Sequence, residues 1–292
     1  MKKMLLMMLA GLLVVACEKP VLGEVEDESE SVEMGSKNDV KKFTFTVKGD
    51  FGAPTFTRGY LSADGSEMTN LWVFDYVDGE CVQKLVQEAS DENWGQPKML
   101  LTLGSHHIYF VASRGDEPVL DEAAHTITWS TTRDTFWKDY EVEVVSTSNG
   151  NRAVTLDRVA TKLRIVVNDE VPAEVAKLTV TPKTWYYGLD YVTGLPVGAC
   201  EKERSVNVPA AYVGTSGQLS MSIFGLSGRD EWKTDVDIKA VDSDGATIGY
   251  AQIKEAPFVA NRASEYNGKL FSGGGFDLNL ASEWSTAYSG SW

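Results

Sequence analysis

Hydrophobic and polar residues alternate with a period of two along much of the chain from Lys41 onward. Phe43, Phe45 and Val47 are separated by threonines, an arrangement that turns one apolar face of a β-strand toward a core. Similar runs follow at Val142–Val144, Leu163–Val167, Leu178–Val180, Leu219–Ile223, Val236–Ile238, Ile248–Tyr250 and Phe276–Leu280. The pattern predicts an all-β body built of short strands.

Turn signals separate these runs. Asp78-Gly79 and the segment Asp242–Gly245 are typical of hairpin turns, and Ile108–Ala112 is continuously apolar, as in a strand covered on both faces. No long window has helical periodicity, so we expect at most short helical pieces. Those pieces are Asp121–His125, Asp134–Tyr140 and one turn within Val171–Ala176.

The number and spacing of the strands favour β-sandwiches. A single sandwich has about 100 residues, and the strand-rich part of this chain is far longer. We therefore expect two tandem sandwich domains, at residues 40–155 and 156–292. The polar, glycine-bearing segment 146–151 is the best place for the boundary.

The N-terminus has a different character. Two lysines precede the apolar run Met4–Ala16, which is shorter than the roughly 20 residues that a membrane-spanning helix needs. Residues 1–16 therefore fit a secretory signal peptide. Ala16-Cys17 resembles a bacterial lipobox, which implies cleavage between these residues and acylation of Cys17, palmitate included. An ordinary signal peptide with an incidental cysteine is the alternative. The acidic residues 17–39 are typical of a flexible tether.

Composition narrows the function classes. The chain has 292 residues and a formal charge of −15, which disfavours binding to nucleic acid. His106 and His107 are adjacent on a predicted strand and so point to opposite faces, where they cannot bind one metal ion together. Glycine-rich phosphate loops and G-x-S-x-G motifs are absent. We expect no enzyme activity, no cofactor and no metal; pairing of Cys81 with Cys200 stays open.

Eight tryptophans offer a different kind of chemistry. Aromatic side chains at strand positions usually belong to a core, but an exposed row of them would stack on sugar rings. A surface glycan-binding lipoprotein is therefore the alternative function, and a lipid-anchored hydrolase with two facing carboxylates is a third hypothesis. The side chains concerned are Trp72, Trp94, Trp129, Trp137, Trp185, Tyr186 and Tyr187.

Several segments, taken in order, resemble the fimbrillin and fimbrial-anchor lipoprotein superfamily of Bacteroides-type bacteria. They are the lipobox at Cys17, Leu71–Tyr76 with Leu101–Gly104, Asp157–Leu163, and Pro257–Arg262 with Tyr266–Phe271. The resemblance implies two transthyretin-like sandwiches and a role in cell adhesion. It also implies a lipid-anchored fimbrial subunit, an anchor or accessory member, at the outer membrane and exposed on the surface. Its partners would be other fimbrial subunits, with a host or glycan ligand as a further option.

The same resemblance assigns roles to particular residues. Members of this superfamily pass a strand to the next subunit, and stalk members lose their first strand to an Arg-specific protease. Phe43–Val47 would be that first strand, and Arg58 would be the processing site, unless it is a plain loop cation. The alternating residues Phe276, Leu278 and Leu280 would form a donated or exchanged strand, or else an ordinary closing strand.

Overall fold

A computed structural model describes residues 39–49, 68–114 and 118–281, the last four by their backbone alone. Within these residues the regular elements are strands and one 3-10 turn at Ala210–Tyr212, which confirms the all-β prediction. No helix in these ranges is long and apolar enough to cross a membrane. The signal peptide, Cys17 and almost all of the tether lie outside them.

The first half of the chain builds a seven-stranded sheet with the order β3-β2-β5-β8-β9-β1-β4. The strands in chain order are β1 Val40–Gly49, β2 Asn70–Val77, β3 Glu80–Glu88, β4 Lys98–Thr102, β5 Gly104–Ser113, β6 Val119–Asp121, β7 Thr126–Thr128, β8 Thr135–Val144 and β9 Asn151–Arg158. Asp78 and Gly79 join β2 to β3 with φ of 51° and 83°. Positive φ at both positions is the geometry of a type I′ hairpin turn, as the sequence predicts.

This sheet curls around an apolar core. The core includes Phe45 from β1 and Phe110 from β5, both fully buried. At the open side, the two edge strands approach each other, and the amide N–H of Leu100 on β4 donates a hydrogen bond to Gln83 Oε1 on β3 at 3.2 Å. The curled sheet therefore supplies both layers of the first sandwich.

The second half forms a sandwich of two four-stranded sheets, ordered β15-β10-β18-β19 and β14-β11-β16-β17. Its strands are β10 Ala160–Val167, β11 Lys177–Pro182, β12 Gly188–Asp190, β13 Pro196–Val197, β14 Arg204–Asn207, β15 Ser220–Leu226, β16 Trp232–Val241, β17 Thr247–Phe258, β18 Ala263–Lys269 and β19 Gly275–Ala281. Leu163 and Ile165 of one sheet share a buried cluster with Val236 and Ile238 of the other. The alternation in β10 and β16 therefore predicts their inward faces correctly.

A small sheet, β13-β12-β7-β6, combines strands from both halves and covers the outer face of the first sheet. Tyr191, which follows β12, stacks on Phe74 of β2 with ring centroids 4.0 Å apart. Ile108–Ala112 is consequently buried on both faces, as its apolar run predicts. The described residues from 39 to 281 group into one compact unit, so the division into two domains at residue 155 stays a prediction.

The short helices that we expected are not formed. Asp134–Tyr140 contains the start of β8, because its main chain pairs with β5 and β9 rather than along a helix. Within Asp121–His125, residues 122–125 form the turn between β6 and β7, and Val171–Ala176 contains a turn closed by the Val175 N–H to Pro172 C=O bond. In each case local ambiguity is resolved by pairing with distant strands.

Candidate functional site: the slot of the first strand

β1 lies between two partners in the interior of the seven-stranded sheet. Its first half pairs antiparallel with β4, and its second half pairs parallel with β9. Main-chain hydrogen bonds continue beyond β4: the N–H of Phe45 donates to the Pro97 carbonyl at 3.0 Å, and that of Val47 donates to the Gly95 carbonyl at 2.9 Å. The chain's first described strand thus occupies a slot with hydrogen-bonding edges on both sides.

The inward side chains of β1 fill this slot. Phe43, Phe45 and Val47 are all fully buried, while the residues between them are half-buried on the other face. The Phe45 ring meets Phe110 and Tyr140 edge-on, with centroid distances of 5.3 and 5.9 Å. Alternate pockets of this kind are what a strand-binding groove uses for specificity.

Gly150, at the end of the β8–β9 loop, sets how closely the backbone approaches β1. A β-carbon on Gly150 would lie 1.8 Å from the carbonyl oxygen of Lys42, and the Gly150 carbonyl accepts a hydrogen bond from the Thr44 N–H. Only glycine permits this contact. The segment 146–151, which we predicted as a domain boundary, therefore also clamps the first strand.

The predicted exchange strand is β19, the edge of another sheet. Within the described residues β19 pairs only with β18, so its other side is an open edge. Phe276 is half-buried against the second core and lies over Gly268, where a β-carbon would come within 2.5 Å of the ring. Leu278 and Leu280 lie in the same strand, and their side chains are outside the described residues. The structure therefore does not bring β19 and β1 into one sheet.

The processing and lipidation residues are not part of the described structure. Ala16 and Cys17 precede it, and Arg58 falls in the undescribed segment 50–67 between β1 and β2. Their roles remain predictions.

The motif Asp157–Leu163 spans the passage from β9 to β10. The guanidinium of Arg158 is almost fully buried and binds both carboxylate oxygens of Asp134, at 2.8 and 3.0 Å. It also donates to Asn261 Oδ1 at 2.9 Å and lies over the Phe136 ring, 5.0 Å from its centroid. One buried cation therefore joins the first sheet to the loop before β18, a structural role that the motif alone does not indicate.

A buried Asp–His pair escaped the sequence analysis. His106 and Asp75 side chains are each 1% exposed, with Nδ1 and Oδ1 2.8 Å apart, while the second His106 nitrogen lies 3.0 Å from the Thr102 carbonyl. A carbonyl only accepts, so Nε2 donates to Thr102, and Nδ1 is left facing the Asp75 carboxyl group. Desolvation is the main reason that the pKa of Asp75 is raised.

The raised pKa of Asp75 makes folding stability depend on pH. The folded state binds the Asp75 proton more tightly than the unfolded chain, where the pKa of Asp75 is 3.8. The resulting stabilisation is complete below pH 3.8 and is lost as the pH rises through the raised folded-state pKa. We expect Asp75→Asn, which removes the titrating carboxyl group, to flatten this dependence in urea denaturation at pH 5 and 9.

Asp139→Asn is the matched control, because Asp139 makes the same contact with His107 at 3.3 Å on the exposed face. In this variant the free energy of unfolding should depend on pH as it does in the wild type. If the dependence flattens equally in both variants, the assignment to Asp75 is contradicted. As predicted, His106 and His107 point to opposite faces of their strand: His106 is buried and His107 is exposed.

On the outer face, His107, Asp139 and Glu141 offer ligand atoms within 4.8 Å of one another. The arrangement has the donor types that bind a divalent cation. The hydrogen bond between His107 and Asp139 is sufficient to account for the geometry of these partly exposed side chains. Cys81 and Cys200 are unpaired; Cys81 is exposed and Cys200 is half-buried.

The aromatic side chains belong mainly to the cores. Trp72, Trp129, Trp137 and Trp185 are 1–5% exposed, and Trp94 is partly buried against the first core. Among the described aromatic residues, Tyr250 stands out as exposed, at 57%. The aromatic row that would favour sugar stacking is therefore not present in the described part of the chain.

No family model and no curated protein matches the sequence. Solved structures match in three dimensions. A candidate adhesin from Bacteroides thetaiotaomicron aligns with a TM-score of 0.52 and 10% identity over 85% of this chain and 98% of its own. Two candidate adhesins from Bacteroides ovatus align with TM-scores of 0.52 and 0.51 at 12% and 11% identity, covering 84% and 77% of this chain and 95% and 88% of theirs.

The chain has the fold of these adhesin structures. At 10–12% identity the likeness concerns the fold alone. At that level the likeness agrees with the resemblance to proteins of Bacteroides-type bacteria that the sequence motifs indicate. The matched structures are described as adhesins and not as enzymes.

Proposed function

We propose that this chain is a lipid-anchored, non-enzymatic subunit of a surface fimbria, an anchor or accessory member that joins its neighbours by strand complementation. The observation that carries the proposal is the position of β1, which fills a slot between β4 and β9. The fold shared with candidate adhesins supports a role in cell adhesion.

The slot has the chemistry that strand complementation needs. Without β1, the facing edges of β4 and β9 would present unpaired N–H and C=O groups, and three apolar pockets would be open to water. Burying each side chain such as Phe43 or Val47 stabilises by roughly 1.5–3 kcal/mol. A strand from another subunit with the same alternation would restore both the main-chain hydrogen bonds and the burial of apolar side chains. β19, an edge strand with alternating apolar residues, is the candidate donor.

The position of Arg58 in the sequence is consistent with this mechanism. Cleavage after Arg58, between β1 and β2, would leave β1 held to the body by noncovalent contacts alone. An uncleaved chain would keep β1 covalently attached and its slot filled, which suits a terminal anchor. Acylated Cys17 and the acidic segment 17–39 would then tether the body to the outer membrane, facing the cell surface.

Mass spectrometry of the N-terminus tests the proposal. We expect protein purified from outer-membrane and fimbrial fractions to begin with acylated Cys17 and to be intact through Arg58. A chain beginning at Gly59 would instead identify a polymerising stalk subunit. Cys17→Ala is the control variant, and it should leave the membrane fraction while remaining folded. Absence of the wild-type protein from every fibre or oligomer would overturn the fimbrial function.

A further inference from the structure

A small pocket on the second half of the molecule is lined by cations. Arg133 reaches it from the segment between β7 and β8, Lys202 and Arg204 from the start of β14, and Ser222 and Phe224 from β15. The three cations are half-buried and Ser222 is buried. We call this set of five residues the basic pocket.

No acid neutralises these cations among the described residues. Arg133, Lys202 and Arg204 take part in none of the ion pairs found there, whereas the neighbouring Arg164 is bound by Glu265 at 2.8 Å. The alternation of the extended segment explains the separation: Glu201 and Glu203 are exposed, whereas Lys202 and Arg204, which alternate with them, are half-buried and line the pocket. Three converging cations are unexpected on a chain with a formal charge of −15.

The surroundings add positive charge beneath the pocket. Lys162 of β10 is 5% exposed, and its Nζ lies 5.6 Å from the centroid of the Phe224 ring. Burial and the nearby Arg164 lower the pKa of Lys162 to about 8, against the opposite effect of Glu265 and Asp134. An anion bound in the pocket would be attracted to this partly desolvated cation as well as to the cations that line the pocket.

The volume limits the size of the anion. The cavity measures about 40 Å³, and one water molecule needs at least about 10–15 Å³ by the same measure. A few waters or a single tetrahedral oxyanion fit, and a whole sugar ring does not. Arginine is suited to such groups because its planar guanidinium donates two parallel hydrogen bonds to sulfate or phosphate oxygens.

We infer that the basic pocket binds one sulfate or phosphate group, with Arg133 and Arg204 as the principal donors and Lys202 and Ser222 completing its contacts. The site is separate from the slot of β1 and does not depend on strand complementation. The group is either a free anion or an ester carried by an acidic saccharide, since both present the same oxygens.

Calorimetry with inorganic sulfate and with a heparin-derived tetrasaccharide tests the inference on the full chain. We expect saturable binding of sulfate, and a loss of affinity of at least about tenfold in the double variant Arg133→Gln, Arg204→Gln, because charge-assisted hydrogen bonds are removed. Tighter binding of the tetrasaccharide would identify an ester on a saccharide as the ligand. Equal or weaker binding would identify the free anion.

The control variant is Lys177→Gln, Lys239→Gln, which removes the same charge from exposed positions on β11 and β16. It should bind as the wild type does. Equal loss in both double variants would show general charge attraction and overturn the inference, as would the absence of saturable binding to either probe. If thermal denaturation shows that the double arginine variant is not folded, the single variant Lys202→Gln is measured in its place. Weaker sulfate binding is again expected.

Discussion

Gly150→Ala is expected to release the first strand from its slot. A β-carbon at this position would lie 1.8 Å from the Lys42 carbonyl oxygen, a backbone atom that cannot rotate away. Either β1 or the β8–β9 loop must move, and the hydrogen bond from the Thr44 N–H is lost with it. We expect the free energy of unfolding to fall by about 1–3 kcal/mol, the usual range for overpacking. Urea denaturation measures this loss.

Hydrogen exchange then locates the effect. Amide protection should fall in Phe43–Val47 and in the facing residues of β9, while β10 and β16 in the second sandwich keep theirs. Asn151→Ala is the matched control, since it adds no atom at the contact and Asn151 is exposed. Unchanged protection of β1 in Gly150→Ala would rule out the clamp.

The second large effect is expected at Arg158, whose buried guanidinium joins three parts of the structure. Arg158→Ala would leave the Asp134 carboxylate without its bidentate partner and Asn261 without its donor. Breaking a buried pair by removing one partner costs about 3–5 kcal/mol. We expect a loss of that size in chemical denaturation, with a corresponding fall in the melting temperature.

An exposed pair on neighbouring strands serves as the control. Lys138 of β8 binds Asp157 of β9 at 3.0 Å, and both side chains are well exposed to solvent. Lys138→Ala should therefore cost no more than about 1 kcal/mol. If the two variants lose similar stability, the buried position of Arg158 does not have the role that we assign to it.

Much of the strand content could be predicted because it depends on local pattern. Period-two alternation places Phe43, Leu163 and Val236 on inward faces, and Asp78-Gly79 forms its turn through the backbone preferences of two residues. The prediction of short helices was wrong because those segments lack such a local signal. A short segment such as Asp134–Tyr140 has no decisive local preference, and pairing with β5 decided its conformation.

The candidate site was less accessible to sequence reasoning. The resemblance to fimbrial proteins indicated that Phe43–Val47 is a first strand, but not that it pairs in parallel with β9, about 100 positions later. The buried pair of Asp75 and His106 comes from strands whose contact cannot be inferred from either residue. No short motif marks either feature.

By itself, the sequence determined that this is an all-β chain with an acidic charge, since alternation and composition are properties of the chain alone. Only the tertiary structure decided which strands are neighbours and which face of β2 and β5 is covered by the small sheet. It also decided that Arg133 and Arg204 line the same pocket. Local preferences act over a few residues, whereas strand pairing and side-chain burial depend on segments brought together from distant parts of the chain.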